Sequence, residues 1–302
     1  MSMLDEAFLK AYRKGRPVSG QPAGTARQQP SEPPVAPLGE PARRGAVPAP
    51  HLRFDRANGA PASEARPRPS AAPATGPAAR QRVLRPMLEV HRFLWPRVID
   101  DLVERSGPSL DAAVRQLAQR SAQGRRVLFV SGTTRGEGRT TMLLALAQVA
   151  ALRGLRAVLV DLDHEHPDLA RQLGIDADTG LEEVCAGQQS LEATLIESVD
   201  DGLTLLPLAG EALDSLPESG LAGVLGALRG VFDLVLIDSG PLDSDAAAVD
   251  LAASLSGSLI DDALMVTSGG AISSAERRLW SRRLAAARIQ RWEIAENFCS
   301  SR

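Results

Sequence analysis

Lysine is almost missing from this 302-residue chain: Lys10 and Lys14 are the only two among 34 basic residues, and all the others are arginine. Beyond residue 14, then, no lysine can reach a bound phosphate. Tyrosine is scarcer still, with Tyr12 alone. The two cysteines, Cys185 and Cys299, stand in no metal-like or redox-like spacing, which excludes a disulfide framework and makes a reducing, cytoplasmic setting the simplest reading. No apolar run approaches the roughly 18 residues of a membrane span. The N-terminal stretch MSMLDEAFLKAYRKG puts acids before its apolar residues and lacks the apolar core of a signal peptide. A net charge of −3 gives no general argument for nucleic-acid binding. What is present is a 44% hydrophobic chain, enough for one full core and a further segment.

The pattern divides the chain into three parts. In residues 1–14, Leu4, Ala7, Phe8, Ala11 and Tyr12 fall on one helical face, with Asp5 and Glu6 in the first turn and Lys10, Arg13 and Lys14 in the last. This is either a docking helix for a partner or a fraying tail. Residues 15–80 carry 14 of the 21 prolines and nine arginines against four acids, the composition of a disordered linker. Residues 81–302 hold the expected folded domain. It opens with two helices, MLEVHRFLWPRVIDDLVERSG and SLDAAVRQLAQRSAQG, punctuated by Pro96 and Gly107-Pro108. Short apolar runs (RVLFVSG, RAVLVDLD, LTLLPLAG, FDLVLIDSG and DALMVTSGG) then alternate with helical lengths. That alternation predicts an α/β fold, a mainly parallel sheet with helices on both faces and ligand loops at the strand C-terminal ends.

Three such loops carry chemistry. SGTTRGEGRTT follows a strand and precedes a helix, and Gly132, Gly136 and Gly138 let the backbone amides of residues 132–141 converge on phosphate oxygens. The candidate nucleotide-binding positions are Gly132, Thr133, Thr134, Arg135, Gly136, Glu137, Gly138, Arg139, Thr140 and Thr141. The pattern GxxxxGK[ST] fails twice: Arg139 stands where lysine belongs and Thr133 where the first glycine belongs. Thr140 is placed to offer a hydroxyl to Mg²⁺. The loop DLDHEHPD begins with Asp161 and Asp163, which could hold magnesium, accept a proton or merely cap a turn. His164 and His166 lack helical i, i+4 spacing, which disfavours zinc. Asp238, ending the strand in LVLIDSG, sits where a magnesium-holding carboxylate would lie.

These motifs, in this order, resemble those of the bacterial tyrosine kinases and their capsular and exopolysaccharide-export relatives, within the MinD/ParA-type P-loop ATPases. The resemblance runs from about Glu89 to the C-terminus. TTRGEGRTT is similar to the family's phosphate loop except at Arg135 and Arg139; DLDHEHP keeps Asp161, Asp163 and Pro167 of the second motif without its arginines; IDSGP matches the third. The resemblance implies ATP or ADP with Mg²⁺ as ligands, catalytic roles for Asp161, Asp163 and Arg139, a metal shell of Thr140, Asp161 and Asp238, and Asn297 near the base. It also implies a protein partner, a membrane-bound polysaccharide-export activator that would bring a cytoplasmic protein to the membrane, and is compatible with a homo-oligomer. It implies no direct nucleic-acid contact. The family's C-terminal tyrosine cluster has no counterpart here, and its transmembrane activator is not in this sequence.

Arginine keeps the charge of lysine but is a planar fork in a loop shaped around a compact ammonium. Phosphoryl transfer depends on positioning, so nucleotide binding should outlast catalysis. Three readings follow: a nucleotide-binding regulatory protein of exopolysaccharide synthesis or export with weak or no kinase activity; an active ATPase or tyrosine kinase adapted to Arg139 through Arg135; or an interaction protein with no nucleotide.

Overall fold

The computed structural model describes residues 53–56, 84–209, 218–242, 259–268 and 272–297, all within the unit Val47–Arg302. The expected helix at 1–14, the helix expected after Asp238 and Cys299 lie outside the described residues.

Nine strands form one sheet: β1 (Arg53–Arg56), β2 (Leu88–Val90), β3 (Val127–Gly132), β4 (Ala157–Leu162), β5 (Ile196–Ser198), β6 (Leu203–Leu206), β7 (Leu234–Ser239), β8 (Asp262–Ser268) and β9 (Trp292–Asn297). Their spatial order is β1-β9-β8-β3-β7-β4-β6-β5-β2. The pairs β9-β8, β8-β3, β3-β7, β7-β4 and β4-β6 are parallel, so these six strands end along one edge. The outer pairs β1-β9 and β5-β6 are antiparallel.

The helices are α1 (Arg97–Ala122), α2 (Arg139–Leu152), α3 (Leu169–Gln172), α4 (Leu181–Cys185), α5 (Leu191–Thr194), α6 (Glu218–Val231) and α7 (Ser274–Ala286). The sheet is covered on both faces, which explains why its strands are apolar throughout: alternate residues serve opposite cores. Leu128, Val130, Leu159, Leu236 and Leu264 pack with α1 and α2. Val127, Phe129, Val158, Val235 and Met265 pack with Leu181, Leu221, Leu225, Trp280 and Leu284 on the other face. The helix α2 buries residues on nearly every side because it packs against both the sheet and α1.

Three details depart from expectation. The two helices foreseen on either side of Gly107-Pro108 are one, α1, with Pro108 inside it. A proline in a helix interior costs about 3 kcal/mol. Here the buried stripe of Ile99, Leu102, Ser106, Leu110, Val114, Leu117 and Ser121 runs unbroken past it, and packing a continuous face offsets that cost. The start of the first expected helix is instead strand β2, held parallel to β5, and Pro96 is the N-cap of α1. Finally, residues 53–56, inside the stretch expected to be an unstructured linker, form strand β1 against β9. Four residues are too short a run for a periodicity signal, and their partner lies more than 230 residues away.

Candidate nucleotide site

The parallel arrangement brings the ends of β3, β4, β7 and β9 together. The loop after β3 turns into α2 through Gly138, whose backbone is left-handed (φ 84°), a conformation glycine alone adopts without strain. Ahead of it the Glu137 carboxylate folds back to accept the backbone N–H groups of Thr133 (2.7 Å) and Thr134 (2.9 Å). Gly132 makes room for this: a Cβ there would lie 2.7 Å from the Glu137 Oε2 and 2.8 Å from the Val266 carbonyl. Asn297, at the end of β9, is buried and donates its side-chain amide to the Glu137 carbonyl at 3.2 Å. Glu137 is thus the brace of the loop, with its carboxylate turned inward to the loop's own backbone.

Arg139 opens α2 and is 7% exposed. Its guanidinium donates to the Ser239 carbonyl at 2.5 Å and pairs with Asp163 at 3.3 Å. The cation at the lysine position therefore ties the loops after β3, β4 and β7 to one another. Burial pushes the Asp163 carboxyl above its usual range, and Arg139 followed by Arg135 pulls it back in part.

Asp161 and Asp238 occupy paired positions on β4 and β7. Asp161 is fully buried and accepts the N–H groups of Asp163 (3.1 Å) and Leu169 (3.0 Å), one on each oxygen. Burial first, then the neighbouring Asp238, raises its pKa to about 8. Asp238 is 3% exposed and accepts the Thr140 hydroxyl at 2.6 Å on Oδ2. Its other oxygen, Oδ1, is buried without a hydrogen-bond partner. Burial raises this carboxyl to about 7, against the pull of the Thr140 hydroxyl.

The structure thus brings Glu137, Arg139, Thr140, Asp163, Asp238 and Asn297 into one constellation. It places Asp161 beneath it, with both oxygens already on backbone amides. Arg135 and Gly136 are exposed at the loop tip, and Thr141 is half-buried in the first turn of α2. Two residues escaped the sequence reading. Ser239 supplies the carbonyl that receives Arg139, and its hydroxyl donates to the Val130 carbonyl at 2.9 Å. Ser131 donates to the Gly240 carbonyl at 2.8 Å, locking the ends of β3 and β7. Only the serine in IDSGP hinted at this, because backbone carbonyl partners leave no mark on residue type.

Mg²⁺ fits part of this donor set. A magnesium ion keeps several waters and takes one or two protein groups plus phosphate oxygens. The Thr140 hydroxyl and the orphaned Asp238 Oδ1 supply that kind of half-shell, whereas Asp161 has no oxygen left without a backbone donor. Among the described residues no group of three or more His, Cys, Asp or Glu side chains is assembled to hold a metal by itself.

No protein-family profile matches the chain. Among curated proteins it is similar to "Putative tyrosine-protein kinase EpsB" of Ralstonia nicotianae, 31% identical over 153 residues, covering 50% of this chain and 20% of that protein. It also resembles the succinoglycan biosynthesis transport protein ExoP of Rhizobium meliloti (27% identical, 37% of this chain, 15% of that one). The chromosome-partitioning ATPase Soj of Thermus thermophilus is 34% identical, over 44% of this chain and 48% of Soj. The chain spans about a fifth of the length of EpsB, the first relative it matches. Among solved structures, the kinase domain of Escherichia coli tyrosine kinase ETK shares its fold, with a TM-score of 0.52, 22% identity and coverage of 59% of this chain and 70% of that one. In its motifs and in its curated relatives alike, the chain is similar to the bacterial tyrosine kinases and exopolysaccharide-export proteins of the MinD/ParA-type P-loop ATPases, and it shares the fold of a bacterial tyrosine kinase domain.

Proposed function

We propose that this protein is a nucleotide-responsive, tyrosine-kinase-like regulator of exopolysaccharide synthesis or transport, which binds Mg-ADP or Mg-ATP and transfers phosphoryl groups weakly or not at all. The observation that carries the reading is the split within the site. The Thr140–Asp238 pair keeps a buried oxygen with no protein partner, suited to a hydrated cation, while the Arg139 guanidinium is drawn onto the Ser239 carbonyl and Asp163.

Each residue then has a definite task. The loop amides that Glu137 does not hold, with the N-terminus of α2, would face the phosphate chain and favour anions through their partial positive charge. Thr140 and Asp238 would hold Mg²⁺, which when bound neutralises charge on the phosphate oxygens. Glu137 and Asn297 keep the loop in shape. Arg139 contributes positive charge without the compact reach of an ammonium, and a misplacement near 1 Å can cost about 100-fold in rate. Residues 1–14 would serve as the docking element for a protein partner of the export machinery, and that partner would account for any membrane association; among the described residues no helix is long and apolar enough to cross a membrane.

The test is calorimetry of the full chain with ADP, with and without Mg²⁺, beside a turnover assay with ATP. Magnesium-dependent binding with negligible turnover is the expected result. Binding with turnover at the level of an active ATPase would favour an enzyme adapted to Arg139. No binding would leave an interaction protein.

A further inference from the structure

Residues 53–56, within the proline- and arginine-rich stretch, lie at the outer edge of the sheet. Without β1, strand β9 would be the outer strand, with a row of unpaired backbone groups. Residues 53–56 cover that edge in a backbone register that sets Arg53 opposite Glu296, Phe54 opposite Ala295, Asp55 opposite Ile294 and Arg56 opposite Glu293, an acid that Arg120 of α1 also holds. Opposite charges at facing cross-strand positions stabilise a pair and select its register. Because β1 is antiparallel to β9, its Arg53 end lies at the ligand edge, one residue from Asn297. Asn297 donates to the Glu137 carbonyl (3.2 Å), and the Glu137 carboxylate holds the Thr133 and Thr134 amides (2.7 and 2.9 Å).

We propose that β1 is a docking strand that couples the N-terminal region to the nucleotide loop, with Asn297 as the positioning residue between them. When β1 is seated, β9 is an inner strand and holds Asn297 against Glu137. When β1 leaves, as it would if a partner drew on the region around it, β9 becomes a frayed edge and the loop loses its brace. A four-residue strand is short enough to detach without unfolding the sheet, since locally held segments open at far lower free energy than a core. The affinity arm of this proposal rests on the nucleotide reading above; the loop arm does not.

The experiment uses the full chain and three changes: Asn297→Ala, the double change Phe54→Pro with Asp55→Pro, and Arg53→Glu with and without Glu296→Arg. Of two adjacent residues in an antiparallel strand, one directs its N–H to the neighbour, so the double proline removes a ladder bond whichever it is. Hydrogen exchange at the amides of residues 133–138 is measured without ligand, and Mg-ADP affinity by calorimetry. Faster exchange and weaker binding, each by about three- to tenfold, are expected for Asn297→Ala and for the double proline, the size of one hydrogen bond's net effect. Combining the two should add little, because they cut the same chain of contacts. Arg53→Glu should act in the same direction, and Glu296→Arg should restore it, which covers the case of a double proline that fails to fold. Unchanged loop exchange in the β1 variants, with Asn297→Ala still effective, would overturn the coupling. If the unaltered chain binds no Mg-ADP, the nucleotide reading falls, and the exchange arm alone decides the coupling.

Discussion

The ends of β4 and β7 lie side by side and finish in the same residue type at paired positions, yet Asp161 and Asp238 are used differently. Asp161 faces a loop that curls back over it, so two backbone amides satisfy both oxygens and the carboxylate becomes part of the scaffold. Asp238 faces the first turn of α2, where only the Thr140 hydroxyl meets it, and one buried oxygen is left over. An orphaned buried acceptor costs stability. A site for a cation is one of the few reasons to keep it. Two buried carboxylates at paired positions thus differ in the number of protein donors that meet them, which makes one a structural brace and the other a candidate ligand.

The largest test concerns the cation that bridges these two loops. Arg139→Lys should raise ATP turnover by about 100-fold, while ADP affinity changes by only a few fold, about the effect of an exchange between equal charges. A lysine variant no faster than the parent would move the defect to the DLDHEHP loop, and with it to the Asp161 side of the comparison.

Thr140→Ala and Asp238→Asn should each weaken magnesium-dependent ADP binding by about tenfold or more, with less effect on binding in chelator. Equal losses in both conditions would remove these residues from the metal shell. For stability the two aspartates should part in the opposite sense. Asp161→Asn replaces an acceptor by an amide facing a backbone N–H, and should lower unfolding free energy by about 1–3 kcal/mol. Asp238→Asn gives up a buried oxygen that has no partner and should leave the melting temperature unchanged or raised. If both lower it alike, the distinction between brace and ligand fails.

The smallest effect is expected away from the ligand edge. Cys185 is buried on the sheet's far face, and burial, then Glu182, raises its thiol to about 11. At pH 8 only about one molecule in a thousand would carry the thiolate there. In a Cys299→Ser background, iodoacetamide should label the native chain hardly at all, and Mg-ADP should not alter the rate. Rapid labelling would show that this face opens as readily as the loops.

The sequence by itself determined the alternating apolar strands, the order of the three motif loops and the departure at Arg139, because parallel strands buried on both faces need unbroken apolar runs and a phosphate loop needs glycines at fixed offsets. Asp161, Asp163, Asp238 and Thr140 were legible as candidates for the same reason. The tertiary structure decided their surroundings. Which aspartate is satisfied by backbone amides, which carbonyl receives the Arg139 guanidinium and why Glu137 turns inward all depend on donors and acceptors of the main chain, which every residue type carries alike. The unbroken α1 across Pro108 and the capture of residues 53–56 by β9 are decided the same way, by a packed face and an open strand edge that local propensity does not encode.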